Sequence, residues 1–131
     1  MALSWLLIGA TEPGTVDLEL TGLRSAKGLV QVCLTRDAGR FPECGKDAMR
    51  SLPATQASFR IEGLPTGSYA VSLFHDENRN GRLDTTMGIP REGFGFSRNP
   101  PIRFGPPKFA AARFTVGSGE TEQRVKLKYL L

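Results

Sequence analysis

Apolar and polar residues alternate along several short stretches of the chain. In VDLELTGL (16–23), Val16, Leu18 and Leu20 alternate with Asp17 and Glu19. A period of two places one set on a buried face and the other in solvent, the mark of a half-buried strand. GLVQVCLT (28–35) repeats the pattern with Val30, Val32 and Leu34, and the turn at Ser25–Gly28 suggests a hairpin with the first strand. ASFRIEGL (57–64) puts Ala57, Phe59 and Ile61 on one face. After a turn at Pro65–Gly67, the next strand carries Tyr69, Val71 and Leu73. ARFTV (112–116) and EQRVKLKYLL (122–131), joined through Gly117–Gly119, complete the set.

Six or seven strands with short turns and no strand–helix alternation predict an all-β fold. The expected architecture is an antiparallel transthyretin-like or immunoglobulin-like β-sandwich of about seven strands. Its expected core is Val16, Leu18, Leu20, Val30, Val32, Phe59, Ile61, Tyr69, Val71, Leu73, Phe114, Val125 and Leu127. Residues 36–55 lack a period, and KDAMRSL (46–52) is read as one helical turn.

MGIPREGFGFSRNPPIRFGPPKF (87–109) breaks the alternation with five prolines and four glycines. Proline cannot donate to a central ladder, so the segment reads as a long ordered loop anchored by Phe94, Phe96, Phe104 and Phe109. Two uses suggest themselves. The phenylalanines, with Arg91, Arg98 and Arg103 among them, can offer a platform to a glycan, lipid or peptide. Alternatively they pack down on the sandwich, and this second reading is favoured.

Composition narrows the picture. The chain has 131 residues, of which 40% are hydrophobic and 23% charged, which suits one globular domain over residues 15–131. The net charge of +4 is scattered, and the nearest stripe, Arg124, Lys126 and Lys128, alternates with Val125, Leu127 and Tyr129. That is the solvated face of a strand, so nucleic acid is not expected as a partner. Residues 1–14 read as a truncated signal segment or leader, too short to span a bilayer. Together with a disulfide expected between Cys33 and Cys44, this points to a periplasmic or secreted monomer whose partner is an extracytoplasmic protein, glycan or lipid.

Two passages carry a family resemblance. GLPTGSYAVSLFHD resembles the turn-and-strand element of transthyretin-like sandwiches, including carboxypeptidase regulatory-like and surface-adhesin B-type domains. YAVSLFHDENRNGRLDTTMGIPREGFGFS, with RFGPPKFAAARFTV, resembles a bacterial family of exported proteins, the domain of unknown function numbered twenty-one forty-one. The resemblance covers about residues 16–130. It implies an exported single-domain β-sandwich and no particular activity.

One stretch holds candidate chemistry. HDENRNGRLD (75–84) sets Asp76, Asn78 and Asn80 at alternate positions before Gly81, with Asp84 beyond. Oxygen ligands at that spacing around a glycine bend suit calcium. The candidate ligands are Asp76, Asn78, Asn80, the backbone carbonyl of Arg82, and Asp84. The twelfth place of a helix–loop–helix calcium motif, where a bidentate glutamate belongs, is Met87. Glu77 or Glu92 must then substitute, and Arg79 and Arg82 oppose a cation. The structural alternative is a tight hairpin about Asn80–Gly81. The principal functional reading is a non-enzymatic exported module with a weak calcium loop and a partner-binding loop at 87–109. The alternative is a hydrolase in which His75 acts as general base with Asp76, Asp84 or Glu92. No Gly-x-Ser-x-Gly elbow accompanies it.

Overall fold

A computed structural model describes residues 12–45, 49–103 and 105–131. Ten strands and one short helix are described. They are β1 (Gly14–Thr21), β2 (Leu29–Thr35), β3 (Met49–Pro53), β4 (Ser58–Leu64) and β5 (Gly67–Asp76), then β6 (Thr85–Thr86), β7 (Ile89–Pro90) and β8 (Phe94–Phe96), then α1 (Phe109–Ala112), β9 (Phe114–Val116) and β10 (Glu120–Lys126). Two sheets face each other as a β-sandwich. One has the order β10-β1-β4; the other runs β3-β2-β5-β8, with β9 also paired to β5.

The alternation explains the sandwich. Inward residues of both sheets meet in one cluster that holds Val16, Leu18, Leu20, Val30, Val32, Ile61, Tyr69, Val71, Leu73, Phe114, Val125 and Leu127, all buried. Phe59, on the edge strand β4, is only partly buried against it. The polar sides of β1, β4 and β10 form a charged outer face, with Arg60 bridging Asp17 (3.7 Å) and Glu120 (2.6 Å) and Arg124 meeting Glu19 (3.4 Å). Arg124 therefore belongs to a solvated surface. Exposed pairs of this kind contribute about 0–1 kcal/mol each.

Three expectations need correction. First, β1 and β2 are not a hairpin: β1 pairs with β4 and β10, whereas β2 pairs with β3 and β5. The period of two identifies which side of a strand is buried but not which strand lies beside it. Second, the sandwich is not wholly antiparallel, because β1 and β10 run parallel from Thr15↔Glu120 to Thr21↔Lys126. Third, the one helical turn expected in KDAMRSL is not there in its described half: Met49–Pro53 is a strand on the edge of the larger sheet, with Leu52 pointing into the core. Pairing with β2 outweighs the weak local helical preference. Among the described residues the helix is α1, at Phe109–Ala112. Residues 1–11 of the expected leader, Lys46–Ala48 and Phe104 lie outside the described residues; Gly14, also assigned to the leader, opens β1.

The long loop is an ordered cover. Phe94 and Phe96 are buried with Ala70 and Ala112, and Phe41, Phe74, Ile102 and Phe109 pack against them. They form a second, smaller core on the outer side of the larger sheet. The Cys33–Cys44 disulfide, closed across 11 residues, brings Phe41 there, edge-to-face with Phe96 and Phe109. A loop of that length contributes about 2–3 kcal/mol. The phenylalanines Phe94 and Phe96 thus offer no exposed platform. Gly95 is required in β8, since a Cβ there would lie 2.6 Å from Val125 Cγ1 and 3.2 Å from the carbonyl oxygen of Lys126. Among the described residues no helix is long and apolar enough to cross a membrane.

Candidate functional site

β5 ends in His75 and Asp76, adjacent residues that project to opposite sides of the sheet. His75 faces inward and is fully buried. Its Nε2 lies 2.7 Å from the carbonyl oxygen of Lys27, which can only accept, so the ring hydrogen sits on Nε2. Nδ1 then accepts from the Tyr129 hydroxyl at 2.9 Å, and that oxygen accepts the backbone N–H of Arg24 at 3.0 Å. Both ring nitrogens are committed within the protein. The structure does not bring His75 to Asp76, Asp84 or Glu92 as the hydrolase alternative requires; the Asp76 carboxylate turns to the other face.

That carboxylate organises the loop. Asp76 is fully buried. Its Oδ1 accepts the Asn80 N–H at 3.1 Å, and its Oδ2 accepts the Gly81 N–H at 2.8 Å and Gln31 Nε2 at 3.0 Å. Gln31 is in turn held by the Ser51 hydroxyl, so a polar ladder runs across β3, β2 and β5 into the loop. Gly81 (φ 81°) supplies the left-handed bend that turns its N–H back to Asp76. Asn78 and Asn80 each cap a local turn, Oδ1 accepting from Asn80 N (3.3 Å) and Arg82 N (3.1 Å) respectively. Their amide nitrogens converge on Asp84, Asn78 Nδ2 on one carboxylate oxygen and Asn80 Nδ2 on the other, each at 2.7 Å.

Of the two glutamates expected to compete for the loop, Glu92 reaches it. Glu92 is buried, and its two oxygens accept the N–H groups of Glu77 (2.9 Å) and Asp84 (3.2 Å), tying the start of the loop to its end. Glu77 is drawn away to Arg24, whose Nη2 and Nε lie 2.6 and 3.1 Å from Oε1, and to Ser25 Oγ at 3.0 Å. The Arg24 guanidinium also stacks over the Tyr129 ring at 4.6 Å.

The loop is not a hairpin about Asn80–Gly81, because β5 and β6 do not pair. The hairpin comes later, where β6 and β7 pair through Thr86↔Ile89. Its two turn residues are Met87 (φ 54°) and Gly88 (φ 81°), as a type I′ turn needs. Met87 therefore stands at a tip in solvent rather than at a twelfth ligand position.

Electrostatics favour an anionic Asp84. The amides of Asn80 and then Asn78 hold its carboxyl below the usual aspartate value, with Arg82 and Arg91 adding to the effect. Among the described residues no three His, Cys, Asp or Glu side chains are grouped closely enough to hold a metal by themselves. An ion here would need the asparagine amides and the Arg82 carbonyl besides the carboxylates.

Glu77 gives a pH prediction. Its hydrogen bond to Arg24 holds its carboxyl below the ordinary 4.5, against a smaller opposing effect of burial. A depressed acid stabilises the fold above its unfolded value, and that stability is lost as pH falls through the folded value. Stability should therefore decline below about pH 4.5. Glu77→Gln should lower stability at neutral pH and flatten that decline, as read by denaturant melts at a series of pH values.

Several contributors were invisible along the chain. Gln31 carried one signal, being the single polar residue inside the apolar run LVQVCL. Tyr129 and Arg24 had none, and Glu92 could be named beside Glu77 but not chosen over it, since their contacts are made across the fold. A search of curated proteins and a search of solved structures each found no match. The family model described as "Uncharacterized protein conserved in bacteria (DUF2141)" matches residues 18–124, most of the chain and all of the loop just described. The protein belongs to that bacterial family.

Proposed function

We propose that the protein is an exported, non-enzymatic β-sandwich module whose 76–84 loop binds calcium weakly. The convergence of Asn78, Asn80 and Asp84 on one point above the buried Asp76 carries this reading. A half-turn of each amide exchanges nitrogen for oxygen and presents Oδ1 atoms beside the Asp84 carboxylate. That arrangement is repulsive until a cation sits among the oxygens. Asp76, Asn78, Asn80, the Arg82 carbonyl and Asp84 are the ligands, and Glu92 closes the far side of the loop. Arg79, Arg82 and Arg91 oppose the ion, so the affinity belongs with extracellular modules, about 0.1–1 mM. The engagement of both His75 nitrogens supports a non-enzymatic role. The disulfide supports export, since oxidising compartments preserve such bonds.

Calcium at tenfold excess over Kd should stabilise the fold by about 1.4 kcal/mol through linkage. That corresponds to a rise in Tm of several degrees for a domain this size. Magnesium should do less, because it demands a stricter octahedron. Asp84→Ala should abolish the rise while leaving a folded protein. Superimposable melts of wild type in calcium and in chelator would leave the loop a structural element only.

A further inference from the structure

The β6–β7 hairpin is built at a cost that packing does not recover. Met87 occupies the first turn position at φ 54°, where asparagine, aspartate or glycine is at ease, and its side chain is 97% exposed. Backbone strain is thus spent on holding a large apolar side chain in water. Ile89, two residues on, is 44% exposed. The other large hydrophobics exposed among the described residues are Leu130 and Leu131. They belong to the same end of the sandwich, because Arg24 donates to the carbonyl oxygens of both Leu131 (3.0 Å) and Arg91 (3.3 Å).

The charges at this end have a sign. Asp76 and Glu92 are buried under backbone donors, and Glu77 is paired with Arg24. What faces solvent around the hairpin is Arg79, Arg82 and Arg91, against the half-buried Asp84 alone, which the two asparagine amides already engage. An apolar tip ringed by arginines is complementary to a surface with anionic groups outside and hydrocarbon beneath.

We propose that this end of the protein docks on anionic phospholipid membranes. Met87 and Ile89 enter the headgroup boundary, and Arg79, Arg82 and Arg91 meet the phosphates. The docking is independent of the calcium reading, so it is tested with chelator present throughout. The full chain is sedimented with phosphatidylcholine vesicles with and without phosphatidylglycerol.

Wild type should sediment with the phosphatidylglycerol vesicles and not with phosphatidylcholine alone. Met87→Asn should weaken sedimentation about tenfold or more, the burial of one such side chain. It should melt no lower than wild type, since asparagine accepts the left-handed turn. The loss then cannot be laid to unfolding. Replacing Arg79, Arg82 and Arg91 together by glutamine should remove the preference for the anionic vesicles. Wild type that ignores the vesicles, or Met87→Asn that binds as wild type does, overturns the proposal. The first of these results would assign the tip to a protein partner instead.

Discussion

A Val71→Asp chain is expected to show no cooperative thermal transition. Val71 is fully buried at the middle of β5, the strand that pairs with β2, β8 and β9. Its backbone is fixed as well: Val71 N donates to Ser97 Oγ at 2.9 Å, and Ser97 N returns to the Val71 carbonyl at 3.0 Å. The residue therefore cannot swing its side chain out to solvent without unpairing the sheet. An uncompensated carboxylate in that core costs at least several kcal/mol. A domain of this size has about 5–15 kcal/mol of stability in total. Val71→Ala is the control. It removes only apolar contacts, so a transition should survive at lower temperature. A Val71→Asp chain that melts cooperatively near the wild-type temperature would show that the core is not where the structure places it.

Gly28→Ala should cost about 2–4 kcal/mol, from a left-handed alanine and an overpacked contact together. Gly28 has φ 71°, and a Cβ there would overlap the carbonyl oxygen of Asp76 and lie 2.6 Å from that of Glu77. These neighbours are backbone, so they cannot give way as a side-chain tip would. A fall in Tm of roughly 10 °C is expected. Gly63 separates the two causes. It has a similar φ of 73° with nothing near its Cβ position, so Gly63→Ala should cost only about 1 kcal/mol. Because the displaced backbone is that of Asp76 and Glu77, Gly28→Ala should also blunt any response to calcium. Equal losses for the two alanine variants would mean that the close approach at Gly28 is not real.

The burial of these residues could be read from the chain because a strand's period of two is local information. Val16, Leu18 and Leu20 announce a buried face whoever their neighbours are. Partnership is not local: β1 beside β10, in parallel, joins segments with nothing between them to mark the pairing. The same division runs through the candidate site. Asp76, Asn78, Asn80, Gly81 and Asp84 stand close in sequence, and their spacing alone pointed to a closed oxygen-lined loop. Glu92, Gln31 and Arg24 act on that loop from other strands and connections, so spacing could not select Glu92 over Glu77. Met87–Gly88 escaped notice as a turn because methionine is a poor residue for it, and the pairing of Thr86 with Ile89 overrides that preference.

The pairing of β1 bears on how the chain acquires its shape. β1 is the middle strand of its sheet, and both neighbours, Ser58–Leu64 and Glu120–Lys126, come from later in the chain. Its register with β10 joins residues more than a hundred positions apart. Loop-closure entropy must be overcome before that contact gives anything back, which places folding in the slow regime of non-local β topologies, milliseconds to seconds. At a synthesis rate of about 5–20 residues per second, β1 waits seconds for β10 to exist. During that interval Val16, Leu18 and Leu20 form a bare ribbon open to pairing with another copy. Asp17 and Glu19, interleaved with them, act as gatekeepers: stacking two such ribbons in register would bring like charges together and so discourage aggregation before the sheet is complete.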